Sequence, residues 1–153
     1  MDKIKIKEKL VNVCRKELDK QLDELIKAMN DAQFEANQHI GAMESRYDSF
    51  KEEAQARVNG FARQIDTKRR ILPAITKINI KNLYNSVVHG SVVQTDQENY
   101  FICAYIVDNP INVDDKDYLP ISMNSPLGIA IEGKKSGDSV EIGGDVVNIY
   151  DVF

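Results

Sequence analysis

Apolar residues at Val11, Cys14, Leu18, Leu22, Leu25, Met29, Ala32 and Ala36 recur at mixed intervals of three and four, which keeps one stripe on an α-helix. Tyr47, Phe50, Ala54, Val58, Phe61, Ile65 and Leu72 resume a similar spacing from the end of the polar stretch Asn37–Ser49, which has no core pattern of its own. Each arm therefore owns one greasy seam and needs a partner, while Lys, Glu, Asp, Arg and Gln fill the faces between. The pattern predicts an antiparallel coiled-coil hairpin with its tip near 37–49, and at 1.5 Å rise per residue its arms would be roughly 45 Å long. The competing reading is one unbroken helix that dimerises with a second copy, because Gly41 is the strongest interruption and one glycine costs a helix only about 1 kcal/mol.

In chain order, Lys3–Lys9 alternates Lys with Ile in a way that suits a short strand, after which the first arm runs from about Lys7 to Gln38 and the second from about Ser45 to Leu72. Pro73 is expected to end the second arm, which divides the chain into a helical domain over 1–74 and a second domain over 75–153. From Ile75 the texture becomes short and β-prone. Ser86–Gln94 and Tyr100–Val107 read as a hairpin around Thr95–Asn99, and Asp108–Asp117 reads as a polar, acidic loop. Ser125 is placed to cap a short helix with Pro126 at its first position, and a hairpin around Gly143-Gly144 joins the last strands. The expected fold class is α+β, the second part a small antiparallel sheet with one short helix.

Composition changes this picture little. In 153 residues with 42% hydrophobic and 29% charged residues, a formal charge of -4 argues against free nucleic acid or an anionic membrane as the main partner. Cys14 and Cys103 form neither a Cys-x-x-Cys pair nor a disulfide-dense pattern and read as reduced core residues. With no apolar run of secretory or membrane-spanning length, the expected location is the cytoplasm. Lys68, Arg69 and Arg70 form a basic patch at the base of the second arm; it reads either as a solvated face complementing a helix C-terminus or as a contact to an acidic or phosphate-bearing partner.

The segment Ile121-Ser-Met-Asn-Ser-Pro-Leu-Gly-Ile-Ala-Ile-Glu-Gly-Lys-Lys-Ser-Gly-Asp-Ser-Val140 resembles the C-terminal signature of the Gre family of bacterial transcript cleavage factors, in which Ser-Pro-Leu/Ile-Gly/Ala is followed by Gly-Lys-Lys-x-Gly-Asp-x-Val. The resemblance implies an N-terminal antiparallel coiled coil and a C-terminal FKBP-like domain. It implies a factor that docks on RNA polymerase and threads its rod through the secondary channel, with only indirect contact to nascent RNA. By position, Ser122, Asn124, Ser125, Pro126 and Leu127 belong to the docking surface. Ser125-Pro126 is at the same time a plain helix start.

Cleavage-stimulating members of that family carry an Asp and, three residues later, a Glu at the tip, because outside carboxylates help retain a weakly held Mg²⁺ at the polymerase centre. Aligned on the aromatic that opens the second arm, Ser45 stands in the place of the Asp and Asp48 in that of the Glu. Glu44 lies next door and forms an i, i+4 pair with Asp48 on a helix. Glu44 and Asp48 are thus the candidate Mg²⁺ ligands, shared with the polymerase, and the chain is expected to have no cofactor of its own. Ser45 and Asp48 equally resemble a helix capping box, and a non-cleaving occupant of the channel is the alternative. His39 reads as a solvated loop residue and His89 lacks ligand neighbours in sequence. The expected protein is a monomer and not itself an enzyme. An FKBP-like prolyl isomerase and a coiled-coil adaptor are the readings from other classes.

Overall fold

The computed structural model describes the backbone of residues 2–38 and 44–153 and the side chains of 2–37 and 49–153. Two compact units emerge: Leu18–Leu72, and a second formed by Met1–Glu17 together with Pro73–Phe153.

The helical unit is built from the portions of α1 (Lys3–Gln38) and α2 (Glu44–Thr76) that fall within Leu18–Leu72. Leu18, Leu22, Ala32, Ala54 and Ile65 are buried, all on the predicted seams, while the intervening Lys, Glu and Asp positions are largely exposed. Arg57 reaches Glu35 across the arms at 3.7 Å, and a shallow groove brings Gln21, Glu24 and Leu25 beside Gln64 and Lys68. Earlier residues of α1 thus meet later residues of α2, as in the expected antiparallel hairpin, so each seam is satisfied within one chain.

Two helix boundaries differ from the sequence reading. The lead-in is helical from Lys3, not a strand: the Asp2 carboxylate accepts from Lys5 N at 3.1 Å as an N-cap, and Ile6, Lys7, Leu10 and Cys14 are buried at helical spacing. Pro73 does not stop α2, which continues to Thr76. Proline withholds its N–H from the Arg69 carbonyl, but the carbonyls of the next turn find donors. Lys77 N bonds Pro73 O at 3.1 Å, Ile78 N bonds Ile75 O at 3.2 Å, and His89 Nε2 lies 2.8 Å from Ala74 O.

In the other unit, six strands lie in the order β3-β4-β2-β1-β6-β5: β1 (Val92–Thr95), β2 (Asn99–Ile102), β3 (Ile111–Val113), β4 (Lys116–Ile121), β5 (Ser139–Ile142) and β6 (Asp145–Val152). The short helix α3 (Pro126–Ile131) follows β4. The sheet is mostly antiparallel, but β2 and β4 run parallel, Asn99 to Ile102 against Tyr118 to Ile121. That pairing departs from the wholly antiparallel sheet expected. Its cause is β3, which lies within the stretch read as the acidic loop 108–117: it turns back on β4 through Asp114 and Asp115, both at positive φ (52° and 63°), and returns the chain to β2 in parallel. Successive residues of the central strands face opposite sides, and both sides are buried. Val93, Tyr100 and Ile102 cluster with Ile121, Ile131, Val140, Ile149 and Val152, whereas Val92, Phe101 and Tyr118 face the other way with no exposure.

The basic lead-in is anchored in this unit. Lys3 pairs with Asp151 at 3.0 Å and sits over the Phe153 ring at 5.3 Å, and Lys9 pairs with Asp114 at 2.8 Å. Lys7 is fully buried; its Nζ donates to the Asn82 carbonyl at 2.7 Å and lies 4.5 Å from the Tyr84 ring centre. Burial lowers its pKa to about 8.

Candidate docking surface

The segment Ser122–Leu127 is a tight turn between β4 and α3 whose polar groups are mostly consumed internally. The Ser122 carbonyl accepts from Ser125 N at 3.0 Å and from the Ser125 hydroxyl at 2.6 Å, and Ser122 Oγ accepts from Asn124 N at 3.2 Å. Ser125 has extended backbone (φ -69°, ψ 157°) and its Oγ accepts from Gly128 N at 3.0 Å, while Pro126 opens the helix where a missing N–H costs nothing. The predicted cap is therefore present in full.

The turn separates its residues into anchors and display. Leu127 packs half-buried against the core cluster, so of the sequence-nominated set it anchors the helix. Asn124 and Pro126 are exposed, and Ser122 and Ser125 are half-buried. Sequence reasoning missed Ile129, which is 62% exposed on α3; an isoleucine in the run Ile-Ala-Ile carries no signal distinguishing it from the buried Ile131. It also missed Gly128, where the backbone of the turn comes too close to admit a side chain.

The three residues of the basic patch have different surroundings. Lys68 is half-buried in a groove with Gly60, Arg63, Gln64 and Thr67; Arg70 pairs with Asp66 at 2.8 Å; Arg69 is exposed. The tip candidates Glu44 and Asp48 begin α2, but their side chains, like those of Ser45 and His39, lie outside the described residues, so their fit to Mg²⁺ stands on sequence alone. Among the described residues no group of three or more His, Cys, Asp or Glu side chains converges as a metal site. Nor is any helix among them long and apolar enough to cross a membrane.

The sheet unit also has a cavity of about 400 Å³ lined by Gln97, Glu98, Asn99, Asp108, Pro110, Asp117 and Leu119. This lining is polar and acidic, with no aromatic wall. Nearby, the Tyr100 hydroxyl is pushed up to about 12 by burial and by the charge of Glu98, to which it donates at 3.2 Å.

No family of known sequences matches this chain, and no curated protein does. Solved structures do: GreA factor homolog 1 (Gfh1) of Thermus thermophilus is 16% identical over 91% of this chain and 94% of that one, with a TM-score of 0.37. A second structure of the transcription factor Gfh1 is 18% identical over 90% and 92%, also at 0.37, and Thermus aquaticus Gfh1 is 17% identical over 90% and 92%, at 0.33. At these values the functional reading stands on the residues of this chain.

Proposed function

We propose that this chain is a transcription regulator that binds RNA polymerase through the turn Ser122–Leu127 and α3, and places its helical hairpin in the secondary channel. The observation that carries the reading is the segment Ile121–Val140. Its sequence resembles the Gre signature, and in the fold its first part makes an internally hydrogen-bonded turn into α3 that leaves Asn124, Pro126 and Ile129 at the surface. A turn whose backbone is already satisfied presents side chains to a partner with little ordering cost on binding. The hairpin supports the reading by supplying a paired-helix rod with a polar tip.

Within that role, Ser45 in place of the first acid favours an occupant that modulates transcription without strong cleavage. When bound, the polymerase's Mg²⁺ would supply Lewis-acid chemistry for hydrolysis; this chain would add at most the Glu44 and Asp48 carboxylates. The prolyl isomerase reading finds little support, since the cavity beside Leu119 lacks an aromatic wall.

The deciding experiment mixes the full chain with purified core RNA polymerase and with a stalled, backtracked elongation complex. Specific binding that competes with another secondary-channel ligand is expected. Failure to bind core polymerase would remove the proposal.

A further inference from the structure

The cavity of about 400 Å³ in the sheet unit is walled by the carboxylates of Glu98, Asp108 and Asp117 beside the apolar Pro110 and Leu119. The fold forces this company. β2 and β4 run parallel from the pair Asn99 and Tyr118, so Glu98 and Asp117, each one residue earlier, enter the sheet side by side, and the loop between β2 and β3 brings Asp108 to the same cavity. Neighbouring like charges repel, yet none of the three forms an ion pair among the described residues. Each is held instead by a neutral donor: Glu98 by the Tyr100 hydroxyl at 3.2 Å, Asp117 by Asn112 Nδ2 at 2.9 Å, and Asp108 by the Tyr105 hydroxyl. These bonds orient the carboxylates but do not neutralise them, and each ionised carboxylate has further lone pairs to offer.

The arrangement selects the shape of a cationic ligand. Among the described residues no three such groups converge as a metal site, so a single small ion does not satisfy all three carboxylates. A ligand that does must spread its positive charges along its length, with Pro110 and Leu119 offering apolar surface to the carbon chain between them. We propose that this cavity binds a linear aliphatic polyamine, whose ammonium groups donate to Glu98, Asp108 and Asp117. Ammonium groups are donors only and ionised carboxylates acceptors only, so the two sides match in hydrogen-bonding sense as well as in charge. All three carboxylates are exposed to solvent, which makes each contact modest in energy and the whole sensitive to salt.

The test titrates the full chain with spermidine at low ionic strength and follows its backbone amide resonances. Saturable binding of one spermidine per chain is expected, with shifts confined to residues 97–99, 108–112 and 117–119. Glu98→Gln and Asp117→Asn should each weaken it about threefold, and butylamine, with one ammonium group, should bind at least about tenfold more weakly. Without spermidine both variants should melt no lower than wild type, since each removes a repulsion. Shifts spread over other acidic residues such as Asp19, Asp23 and Glu24, the same shifts from Mg²⁺ at equal concentration, or wild-type affinity in both variants would each overturn the proposal. Tighter binding of a tetralysine peptide than of spermidine would also overturn it, by making the cavity a seat for a basic protein segment.

Discussion

A Cβ built on Gly128 would lie 2.3 Å from the carbonyl oxygen of Ser122 and 2.8 Å from that of Met123. The Ser122 carbonyl already accepts two hydrogen bonds from Ser125, so it cannot retreat without dismantling the helix start. Gly128→Ala should therefore destabilise the chain by about 2–4 kcal/mol, as overpacking against backbone does. Chemical denaturation of the purified variant measures this. A loss below about 0.5 kcal/mol would show that the turn has room it does not have here.

Docking can be separated from folding at the same turn. Ser125→Ala removes the cap bond to Gly128 and should cost about 1 kcal/mol. Pro126→Ala alone should cost less, because its missing N–H is not needed at that position. Ile129→Ser touches only an exposed side chain and should leave the melting temperature within a few degrees while weakening polymerase affinity about tenfold. Affinity equal to wild type in both Ile129→Ser and the Ser125→Ala, Pro126→Ala double variant would sink the docking assignment.

Much of this fold was legible in the sequence, for reasons that also explain the rest. The arms were readable because Leu18, Leu22 and Ile65 obey a period that only a helix satisfies over many turns. The cap at Ser125 was readable because it is local chemistry. Pro73 misled, because a helix can run on past a proline where later groups donate to the carbonyls of its last turn, and those donors, Ile78 and His89, lie beyond the helix in the chain. Strand β3 was hidden because Ile111 and Val113 give too short an alternation inside acidic residues. Neither the buried lysine Lys7 nor the need for glycine at 128 can be inferred without the residues that approach them in space. Of the candidate site, the turn was legible by motif, but its division into anchoring Leu127 and displayed Ile129 was not.

The β3–β4 turn places two L-residues, Asp114 and Asp115, at positive φ. Asp114 holds Lys9, whereas the exposed Asp115 side chain forms no ion pair among the described residues, and glycine adopts that backbone conformation freely. Asp115→Gly should raise stability by about 0.5–1 kcal/mol, read as a higher melting temperature. A decrease would mean that Asp115 makes a contact worth more than its backbone strain.

Alkaline pH should act on Lys7 and Tyr100 in opposite senses. Lys7 titrates near 8 in the fold against an ordinary lysine value of 10.5, so between these values the unfolded chain holds a proton the folded one has released, and this residue's contribution to stability rises with pH. Tyr100 titrates near 12 against an ordinary 10.0, so above pH 10 the folded chain keeps a proton the unfolded one loses, and stability falls through that range. Denaturation between about pH 7 and 10.5 should show wild type gaining on a Lys7→Met variant from about pH 8 upward. A difference that does not change with pH would contradict the shifted lysine.

At the tip, wild type should stimulate cleavage of a backtracked complex weakly, and Ser45→Asp should increase the rate at least about tenfold at limiting Mg²⁺, because an added hard oxygen ligand improves metal retention. Asp48→Ala should abolish that gain with binding intact. Strong wild-type cleavage that Glu44→Ala removes would transfer the metal-assisting role to the Glu44 and Asp48 pair.

The sheet unit is assembled from residues on both sides of the hairpin, Met1–Glu17 and Pro73–Phe153. During synthesis Ile6, Leu10 and Cys14 are made long before the strands with which they share a core, and no local partner can bury them in the interval. The hairpin between can zip early from contacts near in sequence, and in doing so it carries the two halves of the other core toward each other, shortening the loop that must close. Hairpin variants that leave the sheet untouched should therefore slow the folding of the sheet as well, and the exposed α1 seam marks the nascent chain as a substrate for holding chaperones until β6 has been made.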